Sequence, residues 1–260
     1  MLVAGFDTET TGLDVTKEHI IEVGSVLWDT ERRAPVLRYS ALVHGPHIVE
    51  PLLPKIVELT GITDLDLETY GVAPGFAFEN VLQIFKRAEA IVAHNGNLFD
   101  KPIWEANLAR HGFLPTEKRD LWVDTSCDIE FAPDIKTRKL KHLAAEHGFL
   151  NPFAHRALFD VLTMLKVCDG YDWPKIVASA RTPNLVVRAV MPFTKDEMFN
   201  TKKADFAKMK DVVKAHGFRF DNDTKEWVKS IKEFNKEAAK KEALDAGYKL
   251  SLVRREEVNV

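Results

Sequence analysis

The stretch Leu2-Val3-Ala4-Gly5-Phe6-Asp7-Thr8-Glu9-Thr10-Thr11-Gly12 decides how the rest of the chain is read. Leu2 to Phe6 is a short apolar run, the pattern of a strand buried at the centre of an α/β sheet. In an extended chain residues i and i+2 share a face, so Asp7 and Glu9 project side by side where that run stops. Two carboxylates held so close repel by about 3–4 kcal/mol at an effective dielectric near 20 unless a cation lies between them. A hard divalent ion with oxygen ligands answers that repulsion. Taken alone, the same residues read equally well as acids fronting a Thr-Thr-Gly turn, and only further ligands arriving from elsewhere separate the two readings.

Working outward, 260 residues with 45% hydrophobic and 29% charged side chains allow one good-sized core with an appendage, or two modest domains, in a soluble globular protein. Cys127 and Cys168 stand in no zinc-binding spacing and are expected to be reduced core thiols. No charged and apolar leader opens the chain and no apolar run reaches membrane-spanning length, so an intracellular protein without a membrane partner is expected. There is no Walker A or dinucleotide-binding glycine pattern, which argues against chemistry driven by nucleotide hydrolysis. Residues 184–260 hold 17 Lys/Arg against 13 Asp/Glu, whereas residues 1–183 carry a net −7, so the C-terminal piece is the candidate footprint for an anionic polymer.

Ile20 to Trp28 and Val36 to Val43 read as two further strands of a meander, and Pro54 to Thr60 as a short helix closed by Gly61. Asp64, Asp66 and Glu68 start like a calcium loop, but Thr69 occupies the position that needs glycine, leaving a solvated acidic turn. Phe76 to Glu89 has helical apolar spacing and leads to a buried strand, Ala90 to Ala93. His94-Asn95-Gly96-Asn97-Leu98-Phe99-Asp100 follows, with Asn97 the expected N-cap of a helix through Arg110 and Asp100 in its first turn. Leu121 to Thr125 reads as an edge strand, and Leu140 to Gly148 as a helix. Phe153-Ala154-His155-Arg156-Ala157-Leu158-Phe159-Asp160 opens one more helix. Five residues at 3.6 per turn leave His155 and Asp160 about 140° apart, so both can serve one site only if His155 sits on the loop before that helix. A rigid acid and a mobile histidine are the expectation.

Three separated segments, Asp7-Thr8-Glu9-Thr10-Thr11-Gly12, His94 to Asp100 and His155 to Asp160, together resemble the DEDDh, or DnaQ-like, 3′–5′ exonucleases, with lesser agreement at Leu59 to Thr63, Val123 to Thr125 and Leu140 to Leu143. The likeness runs from residue 1 to about 170, in the family's order. It implies a ribonuclease H-like mixed α/β sheet flanked by helices, and a metal-dependent 3′–5′ exonuclease that releases nucleoside monophosphates from single-stranded DNA ends. By the same resemblance Asp7, Glu9, Asp100 and Asp160 would hold two Mg²⁺ or Mn²⁺ ions. Asp7 would bridge both, Glu9 and Asp160 would hold the ion that binds water, and Asp100 would act through the second. His155 would take the proton of the attacking water. Thr10, Thr11, Gly12 and Leu13 would meet the 3′-terminal nucleotide, and Asn95 would lie near the scissile phosphate. Phe99 suits a core role, Phe153 and Phe159 suit either core or base stacking, and Asp124 is expected to be structural.

The alternatives are an RNA exonuclease of the oligoribonuclease or ribonuclease T type, and a non-catalytic nucleic-acid end-binding or polymerase-tethering module on the same fold; a polymerase or other replication protein is the partner the resemblance implies. The implied setting is the cytoplasm of a bacterial cell or a phage-infected host. Expected boundaries are 1–174 for the exonuclease domain, 175–183 for a helix and linker, and 184–260 for a small α+β module. Within that module a strand at 185–190, a Lys-rich helix from Lys202 to His216, a hairpin from Phe218 to Val228, a helix from Ile231 to Ala246 and a final strand from Tyr248 are expected. Phe218, Phe220 and Trp227 are assigned to its own core, with Lys and Arg outside as a candidate DNA track.

Overall fold

The computed structural model describes residues 1–256 apart from 49, 114–120, 133, 134, 136, 195, 222 and 223. The chain divides into two units after Ala180. In the first, β1 (Leu2–Thr10), β2 (Ile20–Asp29), β3 (Ala34–Leu42), β4 (Ile91–Ala93) and β5 (Trp122–Asp124) form one sheet in the order β3-β2-β1-β4-β5. β1 is central, antiparallel to β2 and parallel to β4. The helices are α1 (Pro54–Thr60), α2 (Asp64–Tyr70), α3 (Pro74–Phe85), α4 (Asp100–Arg110), α5 (Leu140–Glu146), α6 (Ala157–Cys168) and α7 (Trp173–Ala180).

The period-2 alternation of β1 divides the core between the two faces of the sheet. Ala4 and Phe6 pack with Ile103, Trp104 and Leu108 of α4 and with α3. Phe6 meets Phe85, Trp104 and Trp122 edge-on at centroid distances of 5.2, 5.0 and 6.1 Å, and truncating an aromatic so enclosed costs about 3–5 kcal/mol. Val3 faces the other way, toward Val161 and Leu165 of α6. Gly5 allows α6 to sit against the strand, since a Cβ there would lie 2.6 Å from Val161 Cγ1 and 2.7 Å from Leu165 Cδ1. Gly24, opposite Asp7 on β2, does the same for the helix start: its Cβ would stand 2.5 Å from the backbone of Ala157 and Leu158. Two bare positions on adjacent strands thus bring the first turn of α6 down onto the acid-bearing end of β1.

The expected strands appear, with β1 running past Phe6 to Thr10, so that Asp7 and Glu9 lie within the strand and not beyond it. The acidic turn at 64–68 is instead α2, because Thr63 and Asp66 form a capping box that satisfies two of the first-turn amides. The helix expected over Phe76 to Glu89 is α3, which starts earlier and stops at Phe85. Phe99, not Asn97, precedes α4, and the Asn97 amide donates to the Asp124 carboxylate at 3.1 Å. Cys168 is buried and Cys127 half-buried, both as free thiols. α7 contributes Trp173, Ile176 and Ala180 to the α6-side core, so the stretch after residue 174 packs with the first unit.

The second unit runs β6 (Asn184–Val190), a π-helical turn (Glu197–Thr201), α8 (Lys203–Ala215), β7 (Arg219–Asp221), β8 (Glu226–Lys232), α9 (Lys236–Asp245) and β9 (Lys249–Glu256). Its antiparallel sheet has the order β7-β8-β6-β9. That is the split β-α-β arrangement of ferredoxin-like domains. Its core holds Leu185, Val187, Val213, Phe218, Ile231, Ala243 and Tyr248, with Trp227 partly buried against it. Phe220 is a correction to the expected core: it is exposed and meets only the edge of that cluster, through the Trp227 ring at 5.4 Å. Ile231 and Lys232 belong to β8, so the last helix begins later than expected. The tip of the β7–β8 hairpin, residues 222 and 223, lies outside the described residues.

Candidate active site

The acid-bearing end of β1 gathers side chains from four segments. Asp7 and Glu9 come from β1 itself, Glu9 with 9% of its surface exposed. Asp100, 3% exposed, comes from the first turn of α4, where the helix dipole favours an anion. Thr8, on the α4 side of β1, donates its hydroxyl to Asp100 Oδ1 at 3.0 Å. Asp160 comes from the first turn of α6. His155 precedes that helix and is exposed, as the 140° argument requires. Ligand atoms of Glu9, His155 and Asp160 lie within 4.8 Å of one another, the only such cluster among the described residues. Asp7 and Asp100 stand outside that trio but within its electrostatic reach.

The acids raise one another's pKa. Burial pushes Asp7 well above the usual carboxylate range, and Asp100, Glu9, Asp160 and Glu22 push it further. Burial, then Glu22, Asp160 and Asp100, lift Glu9 to about 8, against a smaller opposing pull from Arg156. Burial lifts Asp100 to about 7, resisted by the Thr8 hydrogen bond. Asp160 is raised by burial, although it accepts the His155 N–H at 2.9 Å and the Asn151 amide at 2.6 Å. An enclosed group of carboxylates that disfavour their own charge is the electrostatic signature of a cation site.

The remaining motif residues are held by partners of their own. Thr10 donates to the Gly12 carbonyl at 2.6 Å, and Thr11 donates to Glu18 Oε2 at 2.5 Å while accepting the His19 N–H at 2.9 Å. α4 holds this loop from beneath, with Asn107 and Arg110 donating to the Glu18 carbonyl at 3.2 and 2.6 Å. Leu13 projects from the loop with 82% of its surface exposed. Asn95 adopts a left-handed backbone, φ 64°, and its N–H donates to Asp124 Oδ1 at 2.9 Å. Asp124 also accepts from Asn97 and Ser126, which makes it the post that shapes the loop before Asp100. Phe99 packs into the α4-side core. Phe153 and Phe159 do not belong to the core: they are 54% and 40% exposed and meet each other at a tilt, with centroids 4.7 Å apart, on either side of His155 in sequence.

Glu22 and Arg156 were not singled out from the sequence. The available signal was an acid within the apolar strand Ile20-Ile21-Glu22-Val23, since a charge placed in a buried strand needs a partner. Arg156 supplies that partner from outside the sheet, with Nε and Nη2 both donating to Glu22 Oε1, at 3.1 and 2.9 Å.

A five-stranded mixed sheet with helices on both faces, carrying acids at one end of its central strand, defines the ribonuclease H-like class of nucleases. Residues 4–168 match the family model RNase_T, described as Exonuclease, and the chain belongs to that family, the DnaQ-like 3′–5′ exonucleases. Its members are hydrolases that generally depend on divalent metal. The chain is 28% identical over 165 residues to the DNA polymerase III subunit epsilon of Treponema pallidum, covering 62% of this chain and 72% of that protein. It is 37% identical over 163 residues to the PolC-type DNA polymerase III of Staphylococcus haemolyticus, covering 60% of this chain but only 10% of the polymerase. In fold it resembles Escherichia coli exonuclease I in a zinc-bound complex with single-stranded DNA, with a TM-score of 0.58 at 16% identity, over 71% of this chain and 47% of that one. No helix among the described residues is long and apolar enough to cross a membrane.

Proposed function

We propose that the chain shortens single-stranded DNA from its 3′ end, releasing nucleoside monophosphates, with two Mg²⁺ or Mn²⁺ ions held by Asp7, Glu9, Asp100 and Asp160. The observation that carries this reading is the approach of Glu9, His155 and Asp160 to within 4.8 Å. The donor set fits: these are oxygen ligands whose mutual repulsion a hard divalent cation would relieve. Such ions, when bound, supply Lewis-acid activation of the phosphate and a lower pKa for the attacking water.

The protein's own groups carry the rest. His155 accepts the proton of the attacking water on a ring nitrogen. The water oxygen bonds to phosphorus as the bond to the 3′ oxygen breaks; that oxygen takes a proton from solvent, leaving a strand one nucleotide shorter with a 3′ hydroxyl, and a free 5′-monophosphate. Thr10, Thr11, Gly12 and Leu13 receive the terminal sugar and base, with the exposed Leu13 against the base, and Asn95 lies beside the phosphate. Phe153 and Phe159 offer an aromatic surface for a second base. The choice of DNA, and of a polymerase or replication protein as a working partner, follows the relatives named above. The setting would be the cytoplasm of a bacterial cell or phage-infected host.

Matched, end-labelled DNA and RNA strands digested side by side in Mg²⁺ test the reading. Mononucleotides released faster from DNA are expected. Faster release from RNA overturns the substrate choice, and no release from either, in Mg²⁺ or Mn²⁺, leaves an end-binding module.

A further inference from the structure

Glu22 lies directly across from Glu9 on β2 and is 2% exposed. A carboxylate so enclosed needs both countercharge and hydrogen bonds. Both come from the short segment around His155. Arg156 donates from Nε and Nη2 to Oε1 at 3.1 and 2.9 Å, and the Ala157 N–H donates to Oε2 at 3.0 Å. The Ala157 amide is the first of α6, one of the donors that a helix start leaves without an internal partner. Two residues along β2, Gly24 lets the backbone of Ala157 and Leu158 come into contact with the strand. On the other side of this anchored point His155 holds a left-handed backbone, φ 65°, with its N–H on Asp160 Oδ2 at 2.9 Å. A non-glycine residue keeps such a conformation only where its surroundings enforce it.

Both oxygens of Glu22 therefore already accept hydrogen bonds from the segment that carries His155. From this geometry we infer that Glu22 and Arg156 are positioning residues: through the guanidinium and the first amide of α6 they set where the His155 imidazole stands relative to Glu9 and Asp160. They supply no metal ligand and no proton of their own. The inference rests on His155 being the proton acceptor proposed above.

Arg156→Gln in the full chain, made both alone and with His155→Ala, tests it. The Arg156 side chain is 44% exposed, so its replacement empties no core. Turnover of a labelled single-stranded DNA is read at saturating Mn²⁺, with Mn²⁺ affinity taken from electron paramagnetic resonance. Alone, Arg156→Gln should lower kcat about tenfold or more, the scale of a misplaced catalytic group, with KM and Mn²⁺ affinity nearly unchanged, and Arg156→Lys should recover part of the loss. Added to His155→Ala it should cost nothing further, because the group it positions is gone. Equal losses in both backgrounds, or a loss of Mn²⁺ affinity, would overturn the positioning role while leaving His155 as the base. Full turnover by His155→Ala alone would remove the base assignment and the inference with it. Glu22→Gln, once its melting curve shows a folded protein, should repeat the loss of kcat, and again cost nothing further when added to His155→Ala.

Discussion

The acids and the histidine of the candidate site are held in opposite ways. Asp100 is enclosed under the Thr8 hydroxyl and Glu9 stands within a central strand, both nearly shut off from solvent. His155 is exposed, off the helix, and fastened through its neighbours, with Phe153 and Phe159 open beside it. The contrast suits two tasks. Cation ligands gain from rigidity and low dielectric, since both sharpen electrostatic attraction. A proton acceptor must meet water and substrate, and gains from access.

Breaking the enclosed half should have the largest effect. Asp7→Ala is expected to lower turnover on the order of 10⁴-fold, as loss of a central catalytic group does. The melting temperature of the metal-free variant should not fall, because the charge on its carboxylate was already disfavoured. Activity assays paired with calorimetry check both parts, and full activity would remove Asp7 from the site. Breaking the exposed half should cost less: His155→Ala is expected to slow turnover about 10²- to 10⁴-fold while Mn²⁺ affinity changes little. A matching loss of Mn²⁺ affinity would show that the histidine is a ligand, and the contrast would disappear.

Phe153→Ala probes the open rim. Losing one base–aromatic stack, worth about 1–3 kcal/mol, should raise KM for a single strand with kcat nearly unchanged, and an unaltered KM would exclude a stacking role.

The smallest effect is on stability. In the metal-free protein Glu9 is raised to about 8 and Asp100 to about 7, above the values of the unfolded chain. The folded state then keeps protons that the unfolded state releases. Stability is fully present below the unfolded-state values and is lost as pH rises through about 7 and 8. Melting temperature in chelator should fall between about pH 5 and pH 8, and Mg²⁺ should restore it at the upper end. A flat profile would mean that burial and neighbouring charge do not raise these acids.

Much of this was legible in the chain. The five strands follow from apolar, β-branched runs between polar turns, and the off-helix placement of His155 follows from helical periodicity once the resemblance assigns it to one site with Asp160. α2 was hidden because its three acids resemble a solvated turn, and only the reciprocal Thr63–Asp66 hydrogen bonds explain a helix there. Asn97 has a good capping side chain, yet its backbone is committed to Asp124, a residue 27 positions away. Phe220 alternates correctly for a core strand but lies on the short edge strand β7, where little packs over it.

The sequence by itself determined which chemistry is available: four acids and a histidine in three ordered segments, with local periodicity to carry them. Tertiary structure alone decided how those groups meet. Gly5 and Gly24 admit α6 to the sheet, and Glu22 finds Arg156 across 134 residues of chain. The reason is physical: periodicity is a property of neighbours along the backbone, whereas close approach and the pairing of a buried charge depend on groups that only the folded chain brings together.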